Sequence, residues 1–130
     1  MEYNWNRPLL PRTVICSNFN TFDGEKKVGL FVVLYDEQSD PNVIDDKNVI
    51  AIKLSTQNSC MSNYSVAIDT NLNMFFNDNC IACCSKIHTL HKRDQVYKIL
   101  GIIHPSTYHR IYKTYVKFAN EINIQLLSNL

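Results

Sequence analysis

The sequence predicts a mostly β protein: a small antiparallel barrel or curled sheet with one helix packed on it at the C-terminus. Three observations carry that expectation. Short apolar or alternating runs rich in Val, Ile and aromatic residues are separated by polar turn segments. From His104-Pro105-Ser106 onward the apolar period changes from two to about 3.6. With 130 residues and 45% hydrophobic content the chain can bury one core without disulfides, so residues 1–130 are expected to form a single domain.

The elements follow in order. Met1 to Pro11 holds Trp5, Pro8 and Pro11 without periodicity and reads as an irregular N-terminal arm. Thr13-Val14-Ile15-Cys16 reads as a first strand, and Asn18 to Lys27, centred on Asp23-Gly24, as a turn or exposed loop carrying Lys26 and Lys27. Val28 to Tyr35 is the strongest strand signal, β-branched and apolar throughout. Asp36 to Lys47, acidic and broken by Pro41, reads as a surface loop. Asn48 to Leu54 alternates, with Val49, Ala51 and Lys53 on one face and Ile50, Ile52 and Leu54 on the other. It ends in Ser55-Thr56-Gln57-Asn58-Ser59, small hydroxyls and amides that hydrogen-bond well and pack poorly.

Tyr64 to Asp69 reads as a short strand and Thr70 to Asn79 as a polar turn region around Met74-Phe75-Phe76. Cys80-Ile81-Ala82-Cys83-Cys84 is an unbroken apolar run, expected for a central strand, Cys80 to Ile87, covered on both faces. Ser85, Lys86, His88, Thr89, His91, Lys92 and Arg93 follow at once, so this strand is expected to deliver a cluster of donors to the end of the sheet, which suits an anion. Val96 to Ile103 reads as a last strand interrupted by Gly101. Ser106 or Thr107 can cap the helix after Pro105, and Tyr108, Ile111, Tyr112, Tyr115, Ala119, Ile122 and Leu126 fall on one face of it.

The formal net charge of +1 hides an uneven distribution. Asp23, Glu25, Asp36, Glu37, Asp40, Asp45 and Asp46 make the first half acidic, and Lys86, Lys92, Arg93, Lys98, Arg110, Lys113 and Lys117 make the last third basic. A basic face is compatible with nucleic acid or an acidic partner protein, and also with a merely solvated surface. Five cysteines with no secretory signal are most simply thiols in a reducing cytoplasm, and no segment reads as membrane-spanning.

Cys80-x-x-Cys83 with His88-x-x-His91 invites a zinc reading. A strand would turn Cys80 and Cys83 to opposite faces, and neither Gly nor Pro makes a knuckle there, so no metal and no cofactor is expected. A Cys84–His88 nucleophilic pair would share a strand face at that spacing, but Cys84 reads as core.

The order of elements and several strings resemble the MazF/PemK family, the mRNA interferase toxins of bacterial toxin–antitoxin systems. Phe76 to Gln95, FNDNCIACCSKIHTLHKRDQ, is similar to the family's strand followed by its "QIRT-hydrophobic-D-K" signature, with Lys86 to Lys92 in that place. ILGIIHPSTYHRIYKTYVKFA is similar to its Leu-Ser-Pro helix start, and the Lys27 to Asp36 and VIAIKLSTQ strands fall in matching order. The resemblance runs from about Arg12 to the end.

It implies an SH3-like barrel that dimerises, cuts single-stranded RNA sequence-specifically without a metal, and is held by an antitoxin. Such cleavage uses the ribose 2′-hydroxyl as nucleophile, so its proton must be removed, the phosphorane stabilised and the 5′-oxygen protonated. The family does this with an Arg ahead of the second strand and a Thr or Ser after the third. Ser55 matches the hydroxyl; Lys26 and Lys27 stand where the Arg would be, with Gly29 near the family's proline. Lysine keeps the charge but lacks the planar fork that bridges two phosphate oxygens. His88 replaces the signature arginine and could titrate near neutral pH.

The residues expected to carry catalysis are therefore Lys27, Ser55 and His88, with Lys26, Thr56, Gln57, Lys86 and His91 holding RNA. The missing arginine fits a second reading, a catalytically weakened barrel of the same fold that binds protein or nucleic acid as a phage or mobile-element accessory factor.

Overall fold

A computed structural model describes residues 3–39, 47–55, 63–76 and 79–128, with side chains to residue 124. Six strands form one antiparallel sheet among the described residues: β1 Thr13–Asn20, β2 Lys26–Asp36, β3 Asn48–Ser55, β4 Ser65–Ala67, β5 Ile81–His91 and β6 Val96–Ile102. Their spatial order is β4-β5-β3-β2-β1-β6, and α1, Pro105–Ser128, follows β6 and packs on β4 and β5. The protein is thus mostly β with a C-terminal helix, as the apolar periods indicate.

Alternation divides β1, β2, β3, β5 and β6 between two cores, to the first of which β4 adds Val66. Val14, Val32, Ile52, Leu54, Ala82 and Cys84 meet Ile103 and Ile111 on the helix side. Ile15, Phe31, Val33, Val49, Ala51 and Leu90 pack on the opposite face with Val96 and with Leu9 of the N-terminal arm. The arm has no strand or helix among its described residues, yet it is fastened: the Leu9 amide donates to Asp36 Oδ2 at 2.6 Å, and Trp5 lies between Lys47 and Arg93.

The β1–β2 hairpin is longer than the sequence predicts. Strand pairing continues from Val14↔Val32 to Asn20↔Lys26, leaving only Thr21 to Glu25 as the turn, with Gly24 at φ 85°. Polar side chains such as Asn18 and Asn20 mask the strand, because this end is only half covered. β5 is also longer: the strand expected to end at Ile87 continues to His91. Its apolar half lies between β4 and β3, an inner strand as expected.

The helix begins two or three residues earlier than a Ser106 or Thr107 cap would give. His104 takes that role: its Nδ1 accepts the Ser106 amide at 3.2 Å, and Pro105 occupies the first helical position, where its missing N–H costs nothing. The side-chain amide of Asn73 closes this corner, accepting from the His104 amide at 2.7 Å and donating to the buried Thr107 hydroxyl at 3.1 Å. Ile111 is fully buried, and Tyr108 and Tyr115 pack on the core. Tyr112 and Ile122, expected on that face, are largely exposed, whereas Phe118 meets Tyr64 edge-on. Leu126 lies outside the described side chains.

Candidate functional site

On the face away from the helix, beyond the part that the N-terminal arm covers, a groove of about 580 Å³ opens between the β1–β2 hairpin and the middle of β3 and β5. Its lining includes Phe19, Phe22, Lys27, Gly29, Lys53, Ser55, Cys80, Cys83, Lys86 and His88. Register explains the convergence. Phe19 pairs with Lys27, Phe31 with Lys53 and Ala51 with His88, so alternate residues of four adjacent strands share this surface.

β5 reaches the groove through an irregularity. Ile52 pairs with Ile87, but the next residue, Lys53, pairs with Cys83, so Cys84, Ser85 and Lys86 bulge out of the β3 ladder. Bulges re-aim side chains. Here Cys84 points into the helix-side core, with its thiol 3.6 Å from the Ile111 carbonyl, while Lys86 lines the groove and His88 lies against Phe19 and Phe31. The same bulge defeats the Cys84–His88 pair: an i, i+4 spacing shares a face only in an unbroken strand. Burial pushes the Cys84 thiol up to about 11, keeping it protonated.

Lys53 is the residue that sequence reasoning left without a role. Its Nζ donates to the Leu54 carbonyl at 2.9 Å and lies 5.1 Å from the Phe19 ring centre and 5.6 Å from that of Phe31. Gly29 makes room for it: a Cβ there would fall 2.8 Å from Lys53 Nζ and 2.9 Å from a Phe19 ring carbon. The available signal was a lysine inside the otherwise apolar string VIAIKL, on the Val49 and Ala51 face.

Electrostatics follow from these neighbours. Burial, then the Lys53 and Lys86 charges, lower the His88 pKa below its ordinary 6.5, so the imidazole is neutral at pH 7. Burial also lowers the Lys53 pKa; Cys80 opposes this, and Lys86 and Lys27 add to it. No Asp or Glu occurs among the described lining residues. Lys27 has Glu25 at 4.0 Å, both side chains being more than half exposed.

Of the expected site residues, Lys27, Ser55, Lys86 and His88 line this one groove. Lys26 does not: it lines a separate cavity with Asn18, Asn20, Asp94 and Gln95. His91 is at the other end of β5, 3.3 Å from Asp94, with its amide bonded to Gln95. Thr56 and Gln57 lie outside the described residues. Phe22, fully exposed on the hairpin turn at the groove's rim, went unnoticed because a turn aromatic carries no periodic signal.

Lys92 corrects the expectation of a continuous basic cluster. It is wholly buried, bonding Asp36 Oδ2 at 2.7 Å, Gln38 Oε1 at 2.6 Å and the Arg7 carbonyl at 2.8 Å. Its three donors are all used, and no anion can reach it. The expectation of five thiols also fails. Cys83 is disulfide-bonded, so the cysteine count no longer supports a reducing compartment. Among the described residues no three His, Cys, Asp or Glu side chains gather as metal ligands, and no helix is long and apolar enough to cross a membrane.

No family model and no curated protein matches the sequence. The fold, in contrast, is similar to solved structures. One is an endoribonuclease in complex with its cognate antitoxin from a mycobacterial species, at TM-score 0.61 and 16% identity over 84% of this chain and 92% of that one. Another is an endoribonuclease from a mycobacterial species, at 0.62 and 16% over 85% and 90%. A third is the Mycobacterium tuberculosis toxin MazF-mt6, at 0.53 and 16% over 77% and 91%. The chain therefore has the fold of the MazF toxins.

Proposed function

We propose that the protein is a sequence-specific, metal-independent endoribonuclease that cleaves single-stranded RNA as the toxin of a toxin–antitoxin pair. The observation that carries this reading is the groove itself: Lys27, Lys53, Lys86, His88 and Ser55 converge on one open surface with no carboxylate among its described lining residues. Such a surface suits a phosphodiester rather than a neutral or cationic ligand.

The chemistry assigns roles. Neutral His88 is a base for the ribose 2′-hydroxyl, Ser55 offers a hydroxyl to a non-bridging phosphate oxygen, and Lys27 and Lys86 hold the chain through its phosphates. Phe19 and Phe22 present ring surfaces beside those cations. An antitoxin segment would occupy the same groove; one of the solved neighbours is bound to its own cognate antitoxin. The working unit is a homodimer, as the family resemblance implies.

The absence of arginine among the described lining residues favours a second reading, a binding module of the same fold. Primer-extension mapping of a long RNA incubated with the protein in chelator separates the two. Discrete cuts that vanish in Lys27→Ala and Ser55→Ala variants are the expected result. Intact RNA at high protein concentration would overturn the enzyme reading in favour of a binding module.

A further inference from the structure

We infer that Lys53 is a catalytic residue of the groove, the general acid that protonates the departing 5′-oxygen. This assignment rests on the endoribonuclease reading and adds to it the proton donor which that reading lacks.

Position is the first argument. Lys53 and His88 pack against the same two rings: the amine is 5.1 and 5.6 Å from the Phe19 and Phe31 centres, the imidazole 5.6 and 5.1 Å. They thus occupy one corner, on neighbouring strands β3 and β5, where a single phosphate can meet both. Ser55 lies two residues along β3 on the same face.

Construction is the second. A lysine on an aromatic floor inside a sheet is an expensive placement for a purely structural role, since a methionine would fill the space without desolvating a charge. Gly29 leaves open the volume that the amine and Phe19 occupy. Lys27, by contrast, is more than half exposed beside Glu25 and has no such seat.

Charge is the third. The titratable groups around Lys53 are Lys27 from β2, Lys86 and His88 from β5, and Cys80 just ahead of β5; the nearby Cys83 is disulfide-bonded and does not titrate. Burial, opposed by Cys80 and reinforced by Lys86 and Lys27, lowers the pKa of the amine, which makes its proton easier to give. An arginine could not do this at any accessible pH.

The step balances. The 2′-oxygen forms its bond to phosphorus as His88 takes the hydroxyl proton; the bond from phosphorus to the 5′-oxygen breaks as the Lys53 ammonium delivers a proton to that oxygen. The products are a 2′,3′-cyclic phosphate and a free 5′-hydroxyl. Solvent then restores the Lys53 proton and removes that of His88.

The test uses full-length protein and an RNA containing a mapped cut, with either an ordinary phosphodiester or a 5′-bridging phosphorothiolate at that bond. Lys53→Met should slow the ordinary substrate at least ~100-fold, the lower range for a lost general acid. The sulfur leaving group needs no proton, so on that substrate Lys53→Met should come within tenfold of wild type. Lys53→Arg should remain slow on the ordinary bond, and affinity for a 2′-O-methyl RNA should change less than tenfold in either variant. Thermal unfolding of Lys53→Met should match or exceed that of wild type, which separates lost chemistry from lost fold. Wild-type cleavage with an equally active Lys53→Met or Lys53→Arg overturns the assignment alone, as does a thiolate substrate that gives no rescue. Absence of cleavage by wild type overturns the endoribonuclease reading, and this assignment with it.

Discussion

Removing the ammonium of Lys92 should be among the most damaging single changes to the fold while leaving the groove untouched. Lys92 and Asp36 are completely buried, and the carboxylate also accepts the Leu9 amide at 2.6 Å and the Gln38 amide at 2.9 Å. Lys92→Met strands a buried carboxylate with backbone donors but no counter-charge, at a cost of about 3–5 kcal/mol. That is a large share of the roughly 5–15 kcal/mol that stabilises a domain. Asp36→Asn leaves the ammonium with the Gln38 and Arg7 oxygens, at about 2–4 kcal/mol. The double variant has no buried charge and keeps an acceptor for a backbone amide, so it should cost about 2–3 kcal/mol, far less than the two single changes added. Urea titrations at constant m value read all three costs as midpoint shifts. RNA binding supplies the control: Lys92→Met should not alter the salt slope, whereas Lys86→Met should reduce it by about 0.7. A Lys92→Met cost below about 1 kcal/mol, or single costs that simply add, would mean that water reaches the pair and the burial argument fails.

Gly29→Ala should drive the Lys53 amine off Phe19 and displace the Phe19 ring, because the new methyl would lie 2.8 Å from Nζ and 2.9 Å from a ring carbon; cleavage should fall at least tenfold and the unfolding midpoint should drop, since the amine yields easily but the packed ring does not. Equal losses in Gly29→Ala and Gly29→Val without any effect on Lys53→Met protein would fit this, and undiminished activity in both would not. The His88 pKa is lowered in the fold below 6.5, so the unfolded chain takes up the proton first as pH falls. Its contribution to stability is present above pH 6.5 and is lost as pH drops through the folded value; the wild-type midpoint should decline over that window, and His88→Gln should remove that part of the slope. Asn73→Ala should cost about 1–3 kcal/mol, because the part-buried His104 amide and the buried Thr107 hydroxyl lose their partner. Hydrogen exchange confined to the first turn of α1 and the segment around Asn73 would locate the loss, and an unchanged midpoint would refute it.

What was legible in the sequence was what a single period records. The apolar runs of β2, β3 and β5 and the change to helical spacing after His104 reflect burial on one or two faces, and each appears at its place in the sheet. The site was legible as far as residue chemistry goes: Lys27, Ser55, Lys86 and His88 reach one groove although they come from three strands. Long-range pairing was not. Lys92 reads as surface charge because its partner Asp36 is 56 residues away in an acidic stretch that looks like a loop. Lys26 and Lys27 cannot be told apart until the Phe19↔Lys27 pairing decides which one faces the groove. The bulge at Cys84 to Lys86 reverses the facing of everything after it, and no local pattern announces a register shift that the partner strand imposes. Lys53 reads as a member of an alternating strand, but its meaning depends on Gly29 and Phe19, which are neighbours only across the sheet.

These cross-strand neighbours also bear on how lysines would serve in place of an arginine on the proposed reading. A guanidinium bridges phosphate oxygens through its planar fork and stays charged whatever surrounds it. An ammonium on a flexible stem has no fork, and in water it is a poor proton donor at neutral pH. Seating Lys53 across Gly29 and over two aromatic rings restricts the stem, and burial beside Lys86 and Lys27 weakens its hold on the proton. Each feature makes the groove less comfortable: cations face one another, offset by ring surfaces worth about 0.5–2 kcal/mol apiece, by the Leu54 carbonyl at Lys53 and by the exposed Glu25 beside Lys27. An arriving phosphate relieves that repulsion, most of all when its charge is greatest, in the phosphorane. On the endoribonuclease reading proposed above, the arrangement would favour the transition state over the unliganded protein and over a weakly charged ligand, which is the direction catalysis requires.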